Sequence, residues 1–174
     1  MTRPGLTRLG LAAGLAVLVA DQASKYWVLY GLHLPDRGQV VVLPVFNLTM
    51  VWNRGVTFGL FNGGNAGWAH WALTAVALAV VAALVVWLRR AERPLVAASL
   101  GAIAGGALGN VIDRIRFGAV VDFIHLHAFG WSWYVFNIAD AAIVCGVAAL
   151  VLDGLRPRAQ PGDEDRLAGA PNRR

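Results

Sequence analysis

Apolar residues in this chain run in long unbroken stretches rather than at the three- to four-residue spacing of a soluble amphipathic helix. Four stretches approach the ~20 residues that a helix needs to cross a bilayer. They cover residues 9–30, 67–88, 94–112 and 131–152, and the middle two carry no formal charge. Between the first two the period changes. Gln39-Val40-Val41-Val42-Leu43 and Phe46-Asn47-Leu48-Thr49-Met50-Val51-Trp52 are β-prone runs, parted by Pro44 and flanked by Asp36–Gly38 and Asn53–Gly55. A shorter strand-like piece spans Ala119–Ile124. The pattern predicts an α-helical integral membrane protein with four transmembrane helices and a small β-sheet on one membrane surface. One membrane domain covers residues 1–155, with loops at 31–66 and 113–130. The Pro-, Gly- and charge-rich tail at 156–174 is expected to be disordered.

Composition agrees. Of 174 residues, 57% are hydrophobic and 14% charged, where a soluble domain approaches about a quarter charged. The net charge of +5 sits on one side. Arg3, Arg8, Arg89, Arg90 and Arg93, with the arginines of the tail, flank the ends of the spans on that side. The positive-inside rule makes it cytoplasmic, with both termini inside and the two loops outside. Trp27, Trp68, Trp71, Trp131 and Trp133 mark the outer ends as an aromatic belt. The high pI of about 10.3 therefore reflects topology and contact with membrane lipids, not nucleic acid. The basic start and apolar run of residues 2–20 resemble a secretory signal, but no clear small-x-small cleavage site follows, which predicts a retained helix. The lone Cys145 lies in apolar sequence and reads as a buried, unreactive hydrophobe.

Gly101, Gly105 and Gly109 form a small-residue stripe on the third span, expected to pack inside the bundle of a monomer rather than to pair two copies. At its outer end the stripe turns polar. Five polar clusters fall on the external side: Asp21-Gln22-Ala23-Ser24-Lys25, Asn53-Arg54-Gly55, Asn110-Val111-Ile112-Asp113-Arg114, Asp122, and Asn137-Ile138-Ala139-Asp140. A carboxylate in or beside a membrane helix is costly and marks function by default. Asp140 lies seven positions beyond Trp133, roughly 10 Å below the outer belt at 1.5 Å per residue. No basic residue on its own helix lies near enough to neutralise it, and Asn137 shares its face. Asp122 follows the third span closely. Two carboxylates in a low-dielectric pocket share one proton, the arrangement for general acid/base hydrolysis through an activated water without a covalent intermediate.

The remaining charges read as structure: Asp21 with Lys25 at i, i+4, and Asp113 with Arg114. Asn53, Asn110 and Asn137 satisfy or orient their neighbours. His125-x-His127 lacks a metalloprotease motif, and no metal or cofactor is expected. No serine-hydrolase elbow or phosphate loop is present. A proton-coupled transporter is the chief rival, although the polar groups crowd one side and no internal repeat exists. A presenilin-type protease would need a Gly-x-Gly-Asp motif, which is missing. A non-enzymatic assembly protein using the glycine stripe is a third possibility.

Five motifs in this order resemble the bacterial lipoprotein signal peptidases, or signal peptidase II. They are Asp-Gln-Ala-Ser-Lys at 21–25, Asn53-Arg54-Gly55-Val56-Thr57-Phe58-Gly59, Gly109-Asn110-Val111-Ile112-Asp113-Arg114, Val121-Asp122-Phe123-Ile124 and Phe136-Asn137-Ile138-Ala139-Asp140. The resemblance implies four transmembrane helices with an extracytoplasmic β-sheet cradle, in the bacterial inner (cytoplasmic) membrane. It implies an aspartic endopeptidase that cleaves diacylglyceryl-modified prolipoproteins before the lipidated cysteine. By motif match the catalytic pair is Asp122 and Asp140. Asn53, Asn110, Arg114 and Asn137 hold the substrate backbone or organise the dyad, and Asp21 with Lys25 is a stabilising polar pair. Val56-Thr57 departs from the small residues, commonly alanine, that the family often carries there.

Overall fold

A computed structural model describes residues 4–55 and 69–155. The end of the expected loop at 31–66, from Val56-Thr57 onward, and the tail at 156–174 lie outside the described residues. The chain folds as α1 (Pro4–Tyr26), a π-helical turn (Trp27–Gly31), α2 (Leu34–Arg37), β1 (Gln39–Leu43), β2 (Phe46–Asn53), α3 (Ala69–Leu88), α4 (Pro94–Phe117), β3 (Val120–Ala128), β4 (Trp131–Ser132) and α5 (Ile138–Gly154). Three segments among the described residues, Pro4–Gly31, His70–Leu88 and Pro94–Phe117, are helical and apolar enough over their length to cross a membrane. At 17 residues, α5 rises about 25 Å, somewhat less than the ~30 Å hydrocarbon core.

The central helix is α4, which packs on α1, α3 and α5. Its small residues explain why. A Cβ on Gly101 or Gly105 would run into the carbonyl oxygens of Gly10 and Gly14 on α1, and one on Gly106 would come within 2.6 Å of the Ala139 carbonyl on α5. Backbones can approach that closely only without side chains, so the stripe is spent on helix packing within one chain. Its third member differs: the space beside Gly109 is taken by the Asp21 carboxylate. At the far end Arg93 ties α4 to α5 through Asp153, 2.7 Å away.

The sheet has the order β1-β2-β3-β4 and is antiparallel throughout. In it Val51 faces Asp122 and Asn47 faces His125. Its inner side joins the π-helical turn and α2 through Val28, Leu29, Leu34, Leu48, Val121 and Phe123. That core seats the sheet on the end of the bundle.

Three local expectations change. The third long helix runs through Phe117 rather than ending at 112, until Gly118 closes it at φ 69°, a left-handed conformation that glycine adopts freely. Asp113 and Arg114 are therefore helical, not loop residues. The fourth begins at Ile138, not Trp131, because the backbone of the intervening residues pairs with β3. Trp133 donates to the Leu126 carbonyl, and Phe136 exchanges hydrogen bonds with Ile124 at 2.7 and 3.0 Å. Cys145 is exposed on the helix surface rather than buried, since its neighbour Gly146 is the residue turned toward α4.

Candidate active site

Asp140 owes its position to the start of α5. Asn137 is the N-cap, with extended backbone, and its Oδ1 accepts from the Asp140 N–H at 2.9 Å. The Asp140 Oδ2 accepts in return from the Asn137 N–H at 3.3 Å. This reciprocal capping box fixes both side chains at the helix mouth. Asp140 is the third helical residue, where the positive end of the helix dipole favours a negative charge.

Asp122 arrives from the sheet. It is 1% exposed, and its Oδ2 accepts from Asn53 Nδ2 at 2.9 Å. Asn53 closes β2, and its Oδ1 accepts from the Gly55 N–H at 2.9 Å, so the chain leaving the sheet is pinned beside the carboxylate. The Asp122 Oδ1 accepts from Asn137 Nδ2 at 2.6 Å.

One helix joins the two acids. Asn110, on α4, donates from Nδ2 to Asp140 Oδ1 at 2.8 Å. Its Oδ1 accepts from Asn137 Nδ2 at 3.1 Å and from Lys25 Nζ at 3.0 Å. Both carboxylates therefore belong to one network through Asn110 and Asn137, and among the described residues each of their four oxygens accepts one N–H. The described residues leave every oxygen a second lone pair for a water or a proton.

Burial pushes Asp122 up to about 6, and the negative charge of Asp140 adds to the rise. The hydrogen bonds from Asn53 and Asn137, and the Lys25 charge, oppose it. An acid raised this far by burial and a neighbouring carboxylate fits the pattern of a functional group.

Below the pair lies a buried polar hub. All three Lys25 donors are used: Asp21 Oδ2 at 2.8 Å, Asp113 Oδ2 at 2.7 Å and Asn110 Oδ1 at 3.0 Å. Asp21 and Asp113 are 0% and 1% exposed. The Asp21 Oδ1 accepts from the Ala139 N–H at 2.9 Å, which caps α5 from another helix. The Asp113 Oδ2 accepts from the Val121 N–H at 3.1 Å, one residue before Asp122. Gln22 bridges both acids and the Gly109 carbonyl. The hub thus holds the backbone beside each of the two upper carboxylates.

Asp113 pairs with Lys25 and not, as expected, with Arg114, because consecutive helical residues point about 100° apart and do not face each other. Arg114 donates to the Asn110 carbonyl at 3.3 Å and lies within the field of Asp140, Asp113 and Asp122. The positioning roles of Gln22 and Asp113 were not singled out from sequence. Their motif membership was the available signal, but partners 91 and 88 positions away were not.

Comparison with known proteins places this arrangement. A family model described as signal peptidase (SPase) II matches residues 13–156. The lipoprotein signal peptidase of Methylorubrum extorquens (strain PA1) is 55% identical over 150 residues, covering 86% of this chain and 87% of its own. That of Methylobacterium radiotolerans is 48% identical over 163 residues, covering 94% and 93%. A solved bacterial membrane enzyme superposes with a TM-score of 0.72 at 27% identity, over 86% of this chain and 94% of its own.

Proposed function

The chain belongs to the signal peptidase II family of proteases, and on that premise we propose that it removes signal peptides from diacylglyceryl-modified prolipoproteins, cleaving before the lipidated cysteine. The observation that carries this reading is the network through Asn110 and Asn137. It gives two carboxylates from different elements a common frame and, among the described residues, leaves each oxygen a free lone pair.

In this reading Asp140 is the ionised member and Asp122 carries the shared proton, consistent with the helix dipole at one and the upward shift at the other. Asp140 takes a proton from a water as that water attacks the scissile carbonyl carbon. Asp122 donates its proton to the carbonyl oxygen, giving a neutral tetrahedral diol. Collapse re-forms the carbonyl, breaks the C–N bond and delivers the Asp140 proton to the leaving nitrogen, while a diol proton returns to Asp122. The macroscopic titrations belong to the pair. Asn53 holds Asp122 from the solvent side, and Arg114 offers its remaining N–H groups to substrate carbonyls.

Four helices cross the inner membrane, α5 being the shortest of them at 17 residues. Both termini are cytoplasmic, as the arginines opposite the site suggest. The site then lies near the outer face, where a substrate anchored by its signal helix presents its scissile bond. The protein acts as a monomer without metal chemistry at the carboxylate pair.

The test is purified protein in detergent with one prolipoprotein in two forms, with and without the diacylglyceryl group. The modified form should be cut, leaving the lipidated cysteine as the new N-terminus by mass spectrometry. Equal cleavage of both forms, or a cut elsewhere, would refute the assignment of substrate.

A further inference from the structure

Away from the carboxylate pair, one face of the sheet gathers a second set of polar side chains. His125 and His127 are two apart on β3 and so project from the same face. Asn47 lies directly across from His125 on β2, and Ser132 across from His127 on β4. Together with Gly130 and Trp131 they line a cavity of about 310 Å³.

Two atoms in this cluster are left over. The Asn47 Oδ1 and the His127 Nε2 are buried and have no hydrogen-bond partner among the described residues. Asn47 is only 7% exposed. An unsatisfied buried polar atom is costly and asks for an explanation. One leftover atom is an obligate acceptor, and the other is an imidazole nitrogen that offers a lone pair in one tautomer. The set is rich in electron pairs and has no cationic side chain, which disfavours an anion. It has no carboxylate either, which disfavours calcium or magnesium.

We infer that Asn47, His125 and His127 form a binding site for a divalent transition-metal ion of the zinc or copper type. Imidazole nitrogens suit these ions. The ring centroids of His125 and His127 are 5.4 Å apart. Two imidazoles bound to one tetrahedral ion at ~2.0–2.1 Å would place their centroids roughly 5 Å apart, so the rings need little rearrangement. The His125 Nδ1 contacts Thr49 Oγ1 at 3.1 Å, and Gln39 Nε2 donates to the same hydroxyl at 3.0 Å. That outer contact orients the ring and directs Nε2 at the ion. Nε2 now meets Ser132 Oγ at 2.7 Å. Ser132 is exposed on a two-residue strand, and its hydroxyl gives way to the ion or bridges to it. The site has two imidazoles and an amide, fewer than three ligands of the His, Cys, Asp or Glu types, so water completes the coordination. Bound there, the ion ties β2 to β3. His125 is three residues from Asp122, roughly 10 Å along the strand, so the ion does not touch the carboxylate pair.

The experiment uses untagged, full-length protein in detergent, stripped with chelator and titrated with Zn²⁺ by calorimetry and with Cu²⁺ by electron paramagnetic resonance. One saturable equivalent is expected, with nitrogen coupling from two imidazoles. His127→Gln should weaken it by at least about tenfold while prolipoprotein processing continues, and His33→Gln should leave it unchanged. Absence of saturable binding would overturn the inference, a bound water then satisfying the two leftover atoms. Binding that survives His127→Gln but disappears in Asp122→Asn would also overturn it, by putting the ion on the carboxylate pair.

Discussion

Replacing Lys25 by methionine keeps most of the side-chain volume and removes the one cation of the buried hub. Lys25 is 3% exposed, with Asp21 and Asp113 at 2.8 and 2.7 Å and Asn110 at 3.0 Å. The variant leaves two buried carboxylates facing each other without a counter-charge. Breaking a buried pair in this way costs about 3–5 kcal/mol. At about 2–4 °C per kcal/mol for a chain of this size, the melting temperature should fall on the order of 10 °C. Thermal unfolding in detergent, followed by tryptophan fluorescence, measures it. The cleavage site, mapped by mass spectrometry on whatever activity remains, should not move, because Lys25 touches the two upper carboxylates only through Asn110 and the capped backbones. Adding Asp113→Asn should recover part of the loss, since it removes one of the two unpaired charges. A Lys25→Met melting point equal to wild type, or a double variant destabilised by the sum of both changes, would refute the charge-balance reasoning.

Asn137→Ala removes the N-cap of α5 and the shortest hydrogen bond to Asp122. It should cost about 1 kcal/mol for the cap and lower processing about a hundredfold through loss of alignment, read as a fall in kcat under saturating substrate. The pH profile of kcat/KM should fall above about 6, where Asp122 loses its proton, by about tenfold per pH unit; a profile flat to pH 8 would contradict it. The same shift fixes the sign of a stability effect. Because the folded value lies above the ordinary 3.8, the stability contributed by Asp122 is present below about 4 and is lost as pH rises through about 6. The loss is on the order of 3 kcal/mol, and unfolding curves of Asp122→Asn should lack it. Gly105→Leu places a side chain against the Gly14 carbonyl and should separate α1 from α4, costing about 3 kcal/mol or more; an unchanged melting point would show that this contact is slack.

The apolar runs made three of the long helices legible, since a membrane-length stretch has few other solutions. The polar clusters were legible for the same reason: Asp140 and Asn137 had no business in apolar sequence without a partner. The capping box was also written there, because Asn137 with an acid three residues on is a helix start. Counting Trp131–Phe136 as helix overlooked it, and those residues instead spend their backbone hydrogen bonds on β3. Pairing Asp113 with Arg114 ignored the helical angle between neighbours. The link from Asp21 to the Ala139 N–H crosses 118 positions and has no local signature, so the hub's hold on α5 emerged only in three dimensions. Cys145 could not be oriented because α5 is apolar all round and its pattern marks no inner face.

The most direct measurement is cleavage of a diacylglyceryl-modified prolipoprotein by Asp122→Asn and Asp140→Asn, each purified and each shown by its melting curve to be folded. A working pair needs both acids, so each variant alone should lose processing while keeping a cooperative unfolding transition. Cleavage at the wild-type rate by either folded variant would show that the two carboxylates are not the catalytic pair.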